Sequence, residues 1–588
     1  MKKNNLKKVY AMTLVAAMMA ASLTGCGGEK GTTDADNTSS SVSEQAEYYE
    51  TDDYVSEATE AAENYETSAS DSEMVEEEYA DETLNYSGKE KTESDSSMNG
   101  LYEEDYDARE YSHVSENDFV ATSVEDTSTF AADVDSASYT NIRNYLNNDS
   151  VIPEDAVRIE EMVNYFHYDY REPEKNEPFS VNMEVDECPW NTDHQLVMIG
   201  LKAKAIDTRD RKPTNFVFLI DTSGSMNYAD KLPLVKKAFV KLLSEINEND
   251  TVSIVTYAGS DTVVLEGECG ENTDVIAEAL ENLEASGSTN GSAGINTAYE
   301  VAEEYFIKNG NNRVILATDG DLNVGVTSEE ELTELISEKK ESGIYLSVLG
   351  FGSDNLKDNK LEALADNGNG NYAYIDSVYE AKRVLVKEMG ATLETVAKDV
   401  KLQTTFDSSV VEKYRLVGYE NRVMANEDFD DDSVDGGEIG AGHEVTAIYE
   451  IIPTDEAVKN AGSQSNHILD LSIRYKEPDE DESNLLKYAC NYGGDSFDND
   501  ASDNMLWAES VACFGMFLKD SEYKGQSSIS LAKSIAEKTS YKKDALKVEY
   551  MELLDQAAEI YGVSDKYDDE DEAGYDDEDV EVNVIDAD

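Results

Sequence analysis

Three short segments carry oxygen donors in an arrangement suited to a hard cation. Asp221-Thr222-Ser223-Gly224-Ser225 sets a carboxylate and two hydroxyls at alternate positions, and Asp319-Gly320-Asp321 supplies further carboxylates. Between them lies the Gly/Ser-rich stretch Ser286-Gly287-Ser288-Thr289-Asn290-Gly291. No His or Cys accompanies them. An all-oxygen set of this kind suits Mg²⁺ before Ca²⁺, with Mn²⁺ also admitted. In isolation Asp-x-Ser-x-Ser is common in turns, where Asp and Ser merely close hydrogen bonds to the backbone. Its meaning therefore depends on the elements that position it.

Those elements form an α/β unit over residues 215–395. The stretch 216–220, Phe-Val-Phe-Leu-Ile, is apolar on both faces, as a central parallel strand must be. Leu232, Val235, Phe239, Leu242 and Ile246 then recur at helical steps and make one stripe against a sheet. Further strands are expected at 251–257, 262–266, 313–318, 344–351 and 371–375, separated by helices near 274–283, 293–307, 329–340, 360–365 and 378–389. This alternation predicts a doubly wound, mostly parallel sheet whose ligand site lies beyond the carboxyl ends of the strands. All three oxygen-rich segments fall at that edge.

The pattern resembles the von Willebrand factor type A (VWA) domain and its metal-ion-dependent adhesion site. Asp221, Ser223 and Ser225 match the family's Asp-x-Ser-x-Ser, Thr289 its loop threonine and Asp319 its later aspartate. The resemblance implies that the hydroxyls ligate Mg²⁺ directly and the aspartates act directly or through water. It also implies that an acidic side chain of a protein partner completes the octahedron. Asp321 stands beside this set or simply forms its turn.

The similarity reaches beyond 215–395. Phe130 to Asp135, the 153–165 stretch and Cys188-Pro189-Trp190-Asn191 on one side, with Ala397-Lys398-Asp399-Val400, the 414–422 stretch and the 437–443 stretch on the other, resemble a bacterial family. In that family a type A domain is flanked by an extra N-terminal region and a C-terminal region. Here the N-terminal flank is expected over 129–214, with two short helices and strands at 179–185 and 195–205. The C-terminal flank is expected over 396–562. Its strands at 400–406, 445–452 and 467–475 would join the N-terminal ones in one β-sandwich into which the VWA domain is inserted, followed by helices at 505–518 and 529–560.

Outside these regions charge dominates. The 47 Lys+Arg and 127 Asp+Glu give a formal −80, which excludes nucleic acid and a polybasic membrane attachment. Residues 27–128 carry 31 acidic against 4 basic side chains and read as an extended acidic tether, and 563–588 as a disordered acidic tail. Residues 1–26 combine a basic start, an apolar run of about 15 residues, too short to span a bilayer, and Leu23-Thr24-Gly25-Cys26. This order resembles a bacterial lipoprotein signal, with Cys26 as the lipidated residue, and places the chain outside the cytoplasm, on a membrane through its lipid alone.

Other features carry less. The 428–433 stretch opens like a calcium hand, but Ser433 stands where glycine is needed and Ile439 where the closing glutamate belongs. Cys188, Cys269, Cys490 and Cys513 lack metal spacing and admit two disulfides or buried thiols. The five His are scattered, and neither a nucleophile motif nor a phosphate-cradling loop is present. The expectation is a non-enzymatic, membrane-anchored protein that binds a protein ligand through Mg²⁺. An envelope assembly or chaperone factor is the second reading, and a metal-dependent hydrolase the third.

Overall fold

The computed structural model describes residues 109–563 apart from 133–134, 175–176, 207–210, 288–290, 321–328, 341, 389–392, 461–466, 479, 481 and 493–500. The signal segment with Cys26, most of the expected tether, the acidic tail, Thr289 and Asp321 lie outside the described residues. One boundary is corrected: residues 109–128, assigned to the tether on composition, are packed onto the fold. Asn117 donates to the carbonyls of Leu416 and Gly418 at 3.2 and 2.8 Å, and Thr122 donates to Val411 O at 2.7 Å. Backbone and polar anchoring holds this acidic stretch, which apolar periodicity could not reveal.

The N-terminal flank contributes β1 (Val120–Ala121), β2 (Thr127–Ala131), β3 (Phe179–Glu187) and β4 (Gln195–Ala203), with helices Ala137–Asn147 and Ile159–Asn164. The α/β unit follows with β5 (Thr214–Asp221), β6 (Thr251–Tyr257), β7 (Asp261–Cys269), β8 (Asn311–Thr318), β9 (Tyr345–Gly350) and β10 (Tyr372–Tyr374). They form one sheet in the order β10-β9-β8-β5-β6-β7, parallel except for the edge strand β7. Alternate residues of β5 serve different cores. Phe216, Phe218 and Ile220 pack with Leu232, Val235 and Phe239 of the following helix, whereas Val217 and Leu219 pack with Ile295, Ala298 and Tyr299 on the other face. Burial on both faces is what makes this strand apolar throughout.

The C-terminal flank adds β11 (Thr395–Phe406), β12 (Val411–Val417), β13 (Val423–Met424), β14 (Gly437–Gly440), β15 (Glu444–Pro453), β16 (His467–Lys476) and β17 (Ser483–Asn491). Two sheets result, β1-β12-β15-β4-β3 and β13-β2-β11-β16-β17, with β14 paired to β11. Both send side chains into one core that unites Val197, Ile199 and Tyr449 with Leu402, Leu471 and Ile473. The flanks thus build the expected sandwich. The strands β1, β2, β12, β13, β14 and β17, which the sequence reading passed over, complete it.

Strand β4 is buried on both faces. Its Leu196 and Met198 meet a helical layer in which Ile159, Met162 and Phe166 of the N-terminal flank pack with Trp507, Phe514 and Tyr550 of helices Asp503–Leu518 and Ala545–Ile560. Buried arginines fix the N-terminal helices to the α/β unit. Arg143 grips Asp376 through two bonds of 2.7 Å and reaches Glu380 at 2.9 Å, and Arg158 reaches Asp358 at 2.7 Å. Cys188, Cys490 and Cys513 are buried and Cys269 is half-buried, and Cys188, Cys269 and Cys513 are free thiols.

Candidate metal centre

Strands β6 and β8 leave β5 on opposite sides, so the gap between the ends of β5 and β8 is the switch point of the sheet. Asp221 is the last residue of β5, and Asp319 follows the last residue of β8; both are fully buried. Ser223 lies two residues beyond β5, and Ser225 sits in the turn Gly224–Met226. Parallel pairing thereby gathers four of the five expected positions at one edge. Thr289 is the fifth. The described part of its loop is tied to the same turn, because Ser286 N–H donates to Thr222 O at 2.7 Å and Gly224 N–H to Gly287 O at 3.1 Å.

The acidic loop is organised by its own hydrogen bonds. Ser223 N–H donates to Asp221 Oδ1 at 2.8 Å, and Thr318 Oγ1 donates to Asp221 Oδ2 at 3.2 Å. The hydroxyls of Ser223 and Ser225 are 3.0 Å apart. Burial pushes the Asp221 carboxyl up to about 7, against the Ser223 backbone bond that lowers it, and the nearby Asp319 charge raises it further. A carboxylate in that setting is stabilised by any cation brought beside it.

One cation is built in. Lys231, which caps the helix Leu232–Leu242, is 1% exposed and places Nζ 3.1 Å from Asp319 Oδ2. The loop after β9 supplies its other partners, Asp354 at 2.7 Å and Asn355 Oδ1 at 3.0 Å. Burial opposes the ammonium charge, but Asp354 and Asp319 together hold Lys231 above its ordinary value. Sequence reasoning missed this residue. Its only signal was a cation standing ten positions after Asp221, with nothing to say which way it faced.

The donor set fits a hard divalent ion. It offers buried carboxylate and hydroxyl oxygens, and an ammonium already occupies part of the field that such an ion would neutralise. Among the described residues no three His, Cys, Asp or Glu side chains gather into a separate metal cage. The calcium-hand look of 428–433 has a different explanation. The buried Lys401 donates to the carbonyls of Asp428 and Asp431 at 3.3 and 2.7 Å, so a lysine organises that loop.

Comparison with known proteins agrees with the fold. The profile of the von Willebrand factor type A domain matches residues 215–388, one described as von Willebrand factor matches 105–198, and one described as Uncharacterized protein YfbK, C-terminal, matches 391–560. Uncharacterized protein YfbK of Escherichia coli is 37% identical over 458 residues, spanning 74% of this chain and 79% of that protein. Human inter-alpha-trypsin inhibitor heavy chain H3 is 32% identical over 176 residues, 29% of this chain and 19% of its own length. Among solved structures, the von Willebrand factor type A protein from Catenulispora acidiphila aligns at a TM-score of 0.40 with 16% identity, covering 66% of this chain and 91% of that one. The chain belongs to the YfbK family of VWA-domain proteins.

Proposed function

From this membership we infer that the chain is a non-enzymatic, extracytoplasmic binding protein, lipidated at Cys26, that captures a protein ligand through a divalent cation at the β5–β8 edge. The observation that carries the reading is the convergence of Asp221, Ser223, Ser225 and Asp319 at the switch point. Ser223, Ser225 and the Thr289 hydroxyl would hold Mg²⁺, with Asp221 and Asp319 orienting its waters. When bound, the ion supplies an electrophilic position that a partner carboxylate can fill. The chain's own part is to keep the number of direct carboxylate ligands low. Asp221 is engaged by Ser223 N–H and Thr318, and Asp319 by Lys231, so the ion keeps charge to offer a partner.

Calorimetric titration of the full chain with MgCl₂ tests the site. Saturable binding is expected in the wild type and loss of it in Asp221→Ala; equal behaviour would sink the proposal. Pull-down from detergent-solubilised cells, with and without a chelator, then reports whether partner capture follows the metal. Incorporation of a labelled fatty acid into the wild type but not Cys26→Ser tests the anchor.

A further inference from the structure

Four carboxylates among the described residues have one oxygen sealed from solvent and without a hydrogen-bond partner: those of Asp135, Glu160, Asp399 and Glu509. Cations offset two of them, Arg422 for Asp135 and Lys401 with Lys476 for Asp399. Glu160 and Glu509 have no ion pair. Glu509 lies within the helical layer. Glu160, the second residue of the helix Ile159–Asn164 and 5% exposed, lines a cavity of about 400 Å³. The other walls are the segment 112–118, the Glu420–Asn421 turn after β12, and residues 519–523 beyond the helix Asp503–Leu518. None of the lining residues belongs to β5, β8 or their loops, so the cavity is distinct from the metal edge.

The two oxygens of Glu160 are unequal. Oε2 is the sealed one; it faces the backbone of Gly418, where a Cβ would sit 2.5 Å from it, and Oε1 is left to the cavity. A second acid shares the space. Burial raises the Glu160 carboxyl above its ordinary range, and the charge of Glu420, whose side chain is also buried, raises it further. Lys519 answers only part of this, because its Nζ stands 3.7 Å from Glu420 Oε1 and donates to Val157 O at 3.4 Å. Glu154 and Glu522 add to the negative wall, and its other permanent cation, Arg158, is committed to Glu161 and Asp358. One ammonium for two buried carboxylates leaves a cation's place to fill.

We propose that this cavity binds a primary alkylammonium group, held by Glu160 and Glu420. An ammonium is a point charge with three N–H donors, so it takes single oxygens from two different carboxylates. A guanidinium fork pairs with both oxygens of one carboxylate, and Glu160 has one open. A divalent metal fits less well, because among the described residues no three His, Cys, Asp or Glu side chains gather into a cage. The alkyl stem would run along Val114 and Val157 of the same wall. A free amine and a lysine side chain of a partner protein present the same group.

The test is titration of the full chain with butylammonium chloride, tetramethylammonium chloride and tetralysine at constant pH and ionic strength, read by calorimetry and melting temperature. Butylammonium is expected to bind saturably and raise the melting temperature, with tetramethylammonium, which has the charge but no N–H, at least about tenfold weaker. Glu160→Gln should weaken butylammonium about tenfold or more. Tetralysine that displaces butylammonium assigns the group to a partner's lysine, and butylammonium that stays bound assigns it to a free amine. Equal binding of the two ammonium ions, or an unchanged affinity in Glu160→Gln, overturns the proposal. Should Glu160→Gln fail to fold, Glu420→Gln decides: it removes one carboxylate and releases Lys519 to the other, and undiminished butylammonium affinity there overturns the proposal.

Discussion

Lys231 Nζ lies 3.1 Å from Asp319 Oδ2, and both side chains are shut off from solvent. A buried ion pair contributes little net stability, but removing one partner leaves a charge without its counterpart and costs about 3–5 kcal/mol. Lys231→Met is therefore expected to lose about that much in a chelator. With saturating Mg²⁺ the loss should shrink, because the added ion takes over the neutralising role, and Mg²⁺ should bind more tightly than to wild type. Denaturant unfolding in EDTA and in MgCl₂ checks this. Equal losses under both conditions would assign Lys231 a purely structural part.

The same pair depends on a glycine at some remove. Gly352 has φ +85°, a region that side-chain-bearing residues rarely adopt, and a Cβ there would overlap the Lys231 side chain. Gly352→Ala should destabilise the fold by about 1–3 kcal/mol through backbone strain and contact together. It should also displace Lys231 from Asp319. Its Mg²⁺ affinity, measured by calorimetry, is then expected to shift in the same direction as that of Lys231→Met.

The type A unit was legible because its strands are apolar on both faces and its ligand loops follow them directly. Phe216 to Ile220 announces a central strand, and Asp221 can only stand at its end. The sandwich was only half legible. Strand β4 could be found from its alternation, but in β17 (Ser483–Asn491) the adjacent Leu485 and Leu486 blur the alternation, because Leu485 is an exposed apolar residue on the outer face. Lys231 was invisible for another reason. A sequence names a cation but does not say which buried carboxylate, if any, awaits it, and that depends on loops more than 80 residues apart, as with the separation of 88 between Lys231 and Asp319.

The attachment of the VWA domain to its flanks runs through many polar side chains, Arg143 among them. Arg143, carried by the helix Ala137–Asn147, binds Asp376 and Glu380 of the α/β unit, Tyr165 Oη at 2.8 Å and Glu549 at 3.1 Å. Arg143→Leu strands the buried Asp376, while Glu380 keeps Arg383, and is expected to destabilise the chain by about 3–5 kcal/mol. If the α/β unit and the flanks unfold as one body, a single denaturation transition should move to lower denaturant. If Arg143 is their main tie, the transition should instead split in two, a result visible by comparing fluorescence with circular dichroism.

Glu509 sets the sign of one pH dependence. It lies within helix Asp503–Leu518, 3% exposed, and its Oε1 has no hydrogen-bond partner. Burial pushes its carboxyl up to about 9, helped by Asp186 and Glu184 and opposed by Lys538. The folded chain thus keeps a proton that the unfolded chain releases near 4.5, so this group's contribution is full below that pH and is lost as pH rises toward 9. Glu509→Gln keeps the shape and removes the titration. Relative to wild type it should gain stability with rising pH, by at most about 1.4 kcal/mol per pH unit within that window. Urea unfolding of both proteins at a series of pH values across that window measures the difference. Parallel pH profiles would show that Glu509 ionises in the folded state despite its burial.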